Sequence, residues 1–147
     1  MEKLKKICNV VIFKYIYFSI LFPVVIVFFC DKSFHFIEKF FSDNSNTSVL
    51  TEISGTLIGF LLVIAIVYFA LPSDGKFKKW FIKHGHQTIF IKIILLGIMF
   101  FVLTFFTSWI CNALVMKYIG MYTFIAGSLE VLAAIYYLYN LIIKSRL

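Results

Sequence analysis

The sequence predicts an all-α, polytopic integral membrane protein with four transmembrane helices, both termini in the cytoplasm, and short helices lying in the membrane interface. Three observations carry this. Four apolar runs, at about 7–30, 50–71, 89–111 and 119–143, each reach the roughly twenty residues that cross a hydrocarbon core at about 1.5 Å per residue. Of the 147 residues, 62% are hydrophobic and only 14% charged, too few polar groups to cover a soluble domain of this size. The lysines stand in short clusters beside the runs. The amino-terminal tail, the 76–83 loop and the carboxyl terminus are basic, whereas the Asp31–Glu52 connection carries more acids than bases. Positive charge stays on the cytoplasmic side, so that alternation sets the orientation. Residues 1–147 are predicted to form a single transmembrane domain of the bacterial inner membrane.

The formal net charge of +7 would suit nucleic acid in a soluble protein. Here its placement beside apolar runs points instead to lipid headgroups. No nucleic-acid-binding motif is present, and no direct nucleic-acid contact is expected.

The chain opens on a basic tail with Lys3, Lys5 and Lys6. The first apolar run is too long for a signal peptide and no small-x-small site closes it, which predicts a retained anchor. Lys14, flanked by Tyr15 and Tyr17, is placed to snorkel to the headgroups. Pro23 removes a backbone donor and should bend this helix. In the following connection, Ser33–Ser42 is amphipathic, with Phe34, Phe36, Ile37, Phe40 and Phe41 on one side. That pattern predicts a short helix in the interface plane. Ser42–Ser48 reads as a polar loop, with Ser48 or Thr51 capping the second span.

The second span, Leu50–Leu71, carries Gly55-x-x-x-Gly59 near its start. A two-glycine notch lets another helix approach closely, either within the chain or between copies. After the turn Pro72–Gly75 comes the strongest basic cluster, with Lys76, Lys78, Lys79 and Lys83 around Trp80. It predicts a surface for anionic lipid or a partner protein, with Phe77, Trp80 and Phe81 toward the acyl chains. His84-Gly85-His86 ends it. Two histidines without a third ligand nearby predict no metal site.

The third span begins near Ile89, with Lys92 as a second snorkelling residue. Gly97, Thr104, Thr107 and Ser108 give it small and hydrogen-bonding surface. A short connection, Asn112–Tyr118, leads to the fourth span. Glu130 lies near the middle of that span and is the acid set deepest in an apolar run. An ionised carboxylate there costs several kcal/mol, so it must be protonated, paired or open to water. Gly120, Gly127 and Ala134 recur at seven-residue spacing and predict packing against protein on that side. Two roles stay open for Glu130: lining an ion or proton path, or a neutral acid hydrogen-bonded to Ser or Thr of a neighbouring helix.

Cys8 falls on the predicted cytoplasmic side, and Cys30 and Cys111 at the external ends of their spans. An oxidising compartment permits a Cys30–Cys111 bond, while buried free thiols are the commoner state. No catalytic triad, phosphate loop, Cys-x-x-Cys pair or His-Glu-x-x-His is present, so neither an enzyme nor a cofactor is expected.

Residues 50–111 resemble the RexB family of inner-membrane phage-exclusion proteins. The likeness lies in the small-Gly-Thr start of the second span, Ser54-Gly55-Thr56, the basic loop after it, and His84-Gly85-His86-Gln87-Thr88 leading into the third span. The acid associated with the third span of that family has no counterpart here, where Glu130 stands in the fourth span instead. The resemblance implies an anti-phage membrane component, acting as a homo-oligomeric pore or envelope sensor beside a cytosolic partner. The four-span membrane subunit of the Kiwa defence system is similar in architecture. A small proton-coupled exporter using Glu130, or an accessory subunit of a larger membrane complex, are the rival expectations.

Overall fold

The computed structural model describes residues 21–29, 31–32, 36–41, 44–72, 76–83, 85–110 and 114–145. These form α1 (residues 21–29), α2 (Phe36–Phe40), α3 (Asn44–Ala70), α4 (Lys76–Lys83), α5 (His86–Ile110) and α6 (Leu114–Ser145). Three helices, α3, α5 and α6, are long and apolar enough to cross a membrane. They run 27, 25 and 32 residues, beyond the roughly twenty that a bilayer core demands. This is the architecture of a multi-pass membrane protein. The first predicted span falls largely outside the described residues, as do Cys8, Cys30 and Cys111.

The α5–α6 pair is the tightest and α3 packs chiefly on α5. Contacts between α5 and α6 descend in opposite senses: Phe90 meets Tyr137, Gly97 meets Glu130, Phe101 meets Gly127, Thr104 meets Thr123, and Thr107 meets Gly120. Those pairs fix an antiparallel register. Small faces large across the seam: Gly127 lies under the Phe101 ring, where an added Cβ would stand 2.9 Å from Cε1 and Cζ. Leu61, Ile64 and Tyr68 of α3 close the core against Phe90, Phe101, Val131 and Ala134.

Where α4 turns into α5, Gly85 takes φ 77°, a left-handed conformation open mainly to glycine. Its N–H donates to Ile82 O at 3.0 Å, closing α4, and its carbonyl accepts from Ile89 N at 3.4 Å, opening α5. One residue thus ends one helix and starts the next.

Two expectations are corrected. The tract read as a polar loop is helical from Asn44 onward. Asn46 Nδ2 donates to Phe40 O at 2.7 Å, and Thr51 Oγ1 donates to Thr47 O at 2.9 Å. Side chains thus tie the extra turns to α2 and to one another, and Thr51 lies within the helix rather than capping it. The last helix likewise begins at Leu114, shortening the connection read as Asn112–Tyr118.

A short helix does form within Ser33–Ser42, as α2, and it packs on protein. Ile37 and Phe41 are buried with Val27 and Met121. Polar groups hold both ends. Asp31 accepts from Ile37 N at 3.3 Å and, through its other oxygen, from the Tyr118 hydroxyl. Lys117 Nζ donates to Phe41 O at 3.4 Å and stands 5.7 Å from the Phe41 ring centroid. An acid at the N-terminus and a cation at the C-terminus match the partial charges of the helix ends.

Candidate functional site at Glu130

Glu130 is fully buried. Leu61, Gly97 and Glu130 each lie near the middle of their own apolar run, and the three converge at one point. An added Cβ on Gly97 would stand 2.8 Å from Leu61 Cδ1 and 3.1 Å from Glu130 Cβ. The bare backbone of Gly97 is therefore the seat on which the acid rests, and Leu61 of α3 closes the third side. A carboxyl enclosed this way by residues of three helices has exchanged water for protein.

About two turns along the same seam lies a second buried polar contact. Thr104 and Thr123 are 0% and 3% exposed, and their hydroxyl oxygens are 2.8 Å apart. Thr104 Oγ1 also lies 2.9 Å from Phe100 O, and Thr123 Oγ1 2.9 Å from Ile119 O. Each hydroxyl has one proton, so when one donates to its own helix the other can donate across the interface. The pair joins α5 and α6 about two turns from Glu130. Further along, an added Cβ on Gly120 would stand 3.0 Å from Thr107 Oγ1. Ala134, the remaining member of the seven-residue stripe, is fully buried in the main core.

The second glycine pair faces the other way. Gly55 and Gly59 are exposed, and among the described residues nothing lies within 4 Å of an added Cβ at either. Ser54, beside them, turns inward and donates to Leu50 O at 2.7 Å. Of the apolar stretch of α3 only 22% is buried within the chain, against 44% in α5 and α6. The notch therefore belongs to the outer face of α3, while Leu61 belongs to its inner face.

The basic cluster divides. Lys79, Trp80 and Lys83 are exposed on α4, and Lys76 is helical in backbone. Lys78 departs from the expectation of an exposed basic surface. Its Nζ donates to Leu71 O and to Tyr68 O, the latter at 3.4 Å, and stands 5.3 Å from the Tyr68 ring centroid. The ammonium thus caps the end of α3, whose last carbonyls have no partner in their own helix. Phe81, expected toward the acyl chains, is buried in the main core.

Sequence reasoning missed Leu61 as the second side chain at Gly97 beside Glu130, Thr123 as the partner of Thr104, and the clamp of α2 by Asp31 and Lys117. The last had a signal: Asp31 and Lys117 are charges at the ends of apolar runs, where a charge finds a helix terminus to serve. Leu61 had none, being one leucine among many. Among the described residues no three His, Cys, Asp or Glu side chains come together as a metal site would require. The chain matches no protein-family model, no curated protein and no solved structure.

Proposed function

We propose that the chain is a four-span inner-membrane protein, both termini cytoplasmic, that self-assembles and serves as the membrane component of an anti-phage defence system. It acts there as an envelope sensor or pore subunit, coupled to a cytosolic partner through the basic 76–83 segment. The observation that carries the reading is the double role of α3. Its inner face sets Leu61 beside Glu130 and Gly97, and its outer face presents Gly55 and Gly59, exposed, to the surroundings. A second copy seated on the notch would grip the same helix that covers the acid. Displacing α3 at the subunit contact then withdraws Leu61 and opens Glu130 to water, giving a cation or proton a foothold at mid-depth. The defence assignment rests on the resemblance of residues 50–111 to phage-exclusion membrane proteins.

The test is membrane potential in cells expressing the chain during infection, together with current across planar bilayers holding the purified protein. The expected result is depolarisation with wild type and its loss with Glu130→Gln. Absence of current under every trigger tried removes the pore reading, and a pull-down that recovers the chain alone removes the partner. The burial of Glu130 equally favours a proton-coupled exporter. In that case Glu130→Gln abolishes substrate efflux while infection leaves the potential unchanged.

A further inference from the structure

Beside the junction of α2 and α3, a small cavity reaches the place where α5 ends and α6 begins. It has about 10 Å³ of room for the centre of a water-sized sphere, enough for one small particle. Phe41, Thr47, Thr107, Ser108, Lys117 and Gly120 line it. Gly120 makes the room: an added Cβ there would stand 3.0 Å from Thr107 Oγ1 and 3.8 Å from Ser108 Oγ. Ser108 departs from the habit of hydroxyls in these helices. Ser54, Thr107 and Ser128 each give their proton to the carbonyl four residues earlier. Ser108 Oγ is buried and has no hydrogen-bond partner among the described residues, so its proton is uncommitted.

We infer that this cavity binds a single chloride ion, held between Lys117 Nζ and Ser108 Oγ over the bare backbone of Gly120. Charge selects an anion. Lys117 is half-buried, its ammonium contacts the Phe41 carbonyl and ring, and no acid lines the cavity among the described residues. Asp31 serves the opposite end of α2. A half-buried ammonium with neutral contacts lacks a counter-charge, and salt screens it less than a surface charge. The donors agree with the charge. An ammonium carries three protons, of which Phe41 O takes one, and Ser108 offers its own. Size then excludes carboxylates, phosphate and sulfate and leaves a monatomic ion. A water molecule fits the space but brings no charge. The bound ion joins α5 and α6 to the α2–α3 corner. The site is independent of Glu130 and of self-assembly.

The experiment titrates the purified chain in detergent with sodium chloride, holding ionic strength constant with sodium gluconate, whose anion is too large for the cavity. Broadening of the chloride nuclear resonance reports binding, and thermal unfolding reports its effect on the fold. Saturable broadening that bromide competes away is expected, together with a melting temperature that rises to a plateau in chloride alone. Ser108→Ala should weaken binding about tenfold, the share of one hydrogen bond to a charged group. Gly120→Ala, which sets a methyl in the cavity without changing charge, should abolish it, as should Lys117→Met. Lys92→Met, at an exposed lysine of α5, should leave it intact. Should Lys117→Met or Gly120→Ala fail to fold, Ser108→Ala decides, since it removes one oxygen and nothing else. Gluconate acting as well as chloride overturns the site, and so does broadening unchanged in Ser108→Ala. A wild-type chain indifferent to chloride also overturns it, because the cavity then holds water.

Discussion

Glu130 rests its β-carbon 3.1 Å from the point where a β-carbon on Gly97 would stand. Glycine at that position is a condition of the acid's placement, because the opposing atom is fixed to the α6 backbone and cannot swing aside. Leu61 Cδ1, at 2.8 Å, is the end of a flexible side chain and can.

Gly97→Ala should therefore destabilise the bundle by about 1–3 kcal/mol, the usual cost of overpacking. The measurement is reversible unfolding in detergent or bicelles, with Gly59→Ala as the control. An added methyl at Gly59 meets no described residue, so that variant should fall within about 1 kcal/mol of wild type or gain slightly from helix propensity. If both glycine variants lose the same stability, Gly97 has no special relation to Glu130.

The Thr104–Thr123 contact invites a double-mutant cycle with valine, which keeps shape and removes the hydroxyl. Each hydroxyl also reaches its own helix's carbonyl, so a single replacement leaves the survivor a partner and costs little. The coupling energy is expected near 0.6 kcal/mol and no more than about 1.7 kcal/mol, the range for hydrogen bonds between membrane helices. A coupling indistinguishable from zero would mean that packing alone sets the α5–α6 register.

Lys78→Met tests the cap on α3. Removing the ammonium leaves the Leu71 and Tyr68 carbonyls without that donor, at an expected cost of about 1.5 kcal/mol for a bond to a charged group. Amide exchange in the last turn of α3 should accelerate about tenfold, while Lys79→Met, on the exposed side of α4, should leave it unchanged. Equal acceleration in the two variants would make the effect one of general charge.

How much of this was legible in the sequence depends on where a residue sits relative to lipid. The lengths of α3, α5 and α6 follow from their apolar runs alone, because a spanning helix must satisfy its own backbone. Which face of each helix turns inward does not follow. Lipid tails are as apolar as leucine, so the outer face of α3 carries Ile66 and Phe69 and the inner face Leu61 and Ile64, with no periodicity to separate them. Gly55 and Gly97 look alike on paper, yet one is exposed and the other is a seat for two side chains. Helix ends were hidden for a different reason. The start of α3 depends on Asn46 reaching Phe40 O, and the end of α3 on Lys78, ten residues beyond Tyr68. Such bonds depend on tertiary approach, which local propensity does not record.

The outward notch of α3 yields the sharpest test of self-assembly. Gly55 and Gly59 are exposed and meet no other described residue, so a large side chain can enter there without disturbing the packing of α3 on α5 and α6. Gly59→Leu should leave helicity and single-chain stability unchanged, within about 1 kcal/mol. It should also abolish cross-linked dimers in membranes, because two backbones can no longer approach closely. Sedimentation in detergent and in-membrane cross-linking read the two effects separately. An unchanged cross-linking pattern would move the subunit contact off α3 and sever the proposed link between that contact and Leu61. If instead the variant stays dimeric but loses stability, the notch is filled by the chain itself, and the route from neighbour to Glu130 must run through another helix.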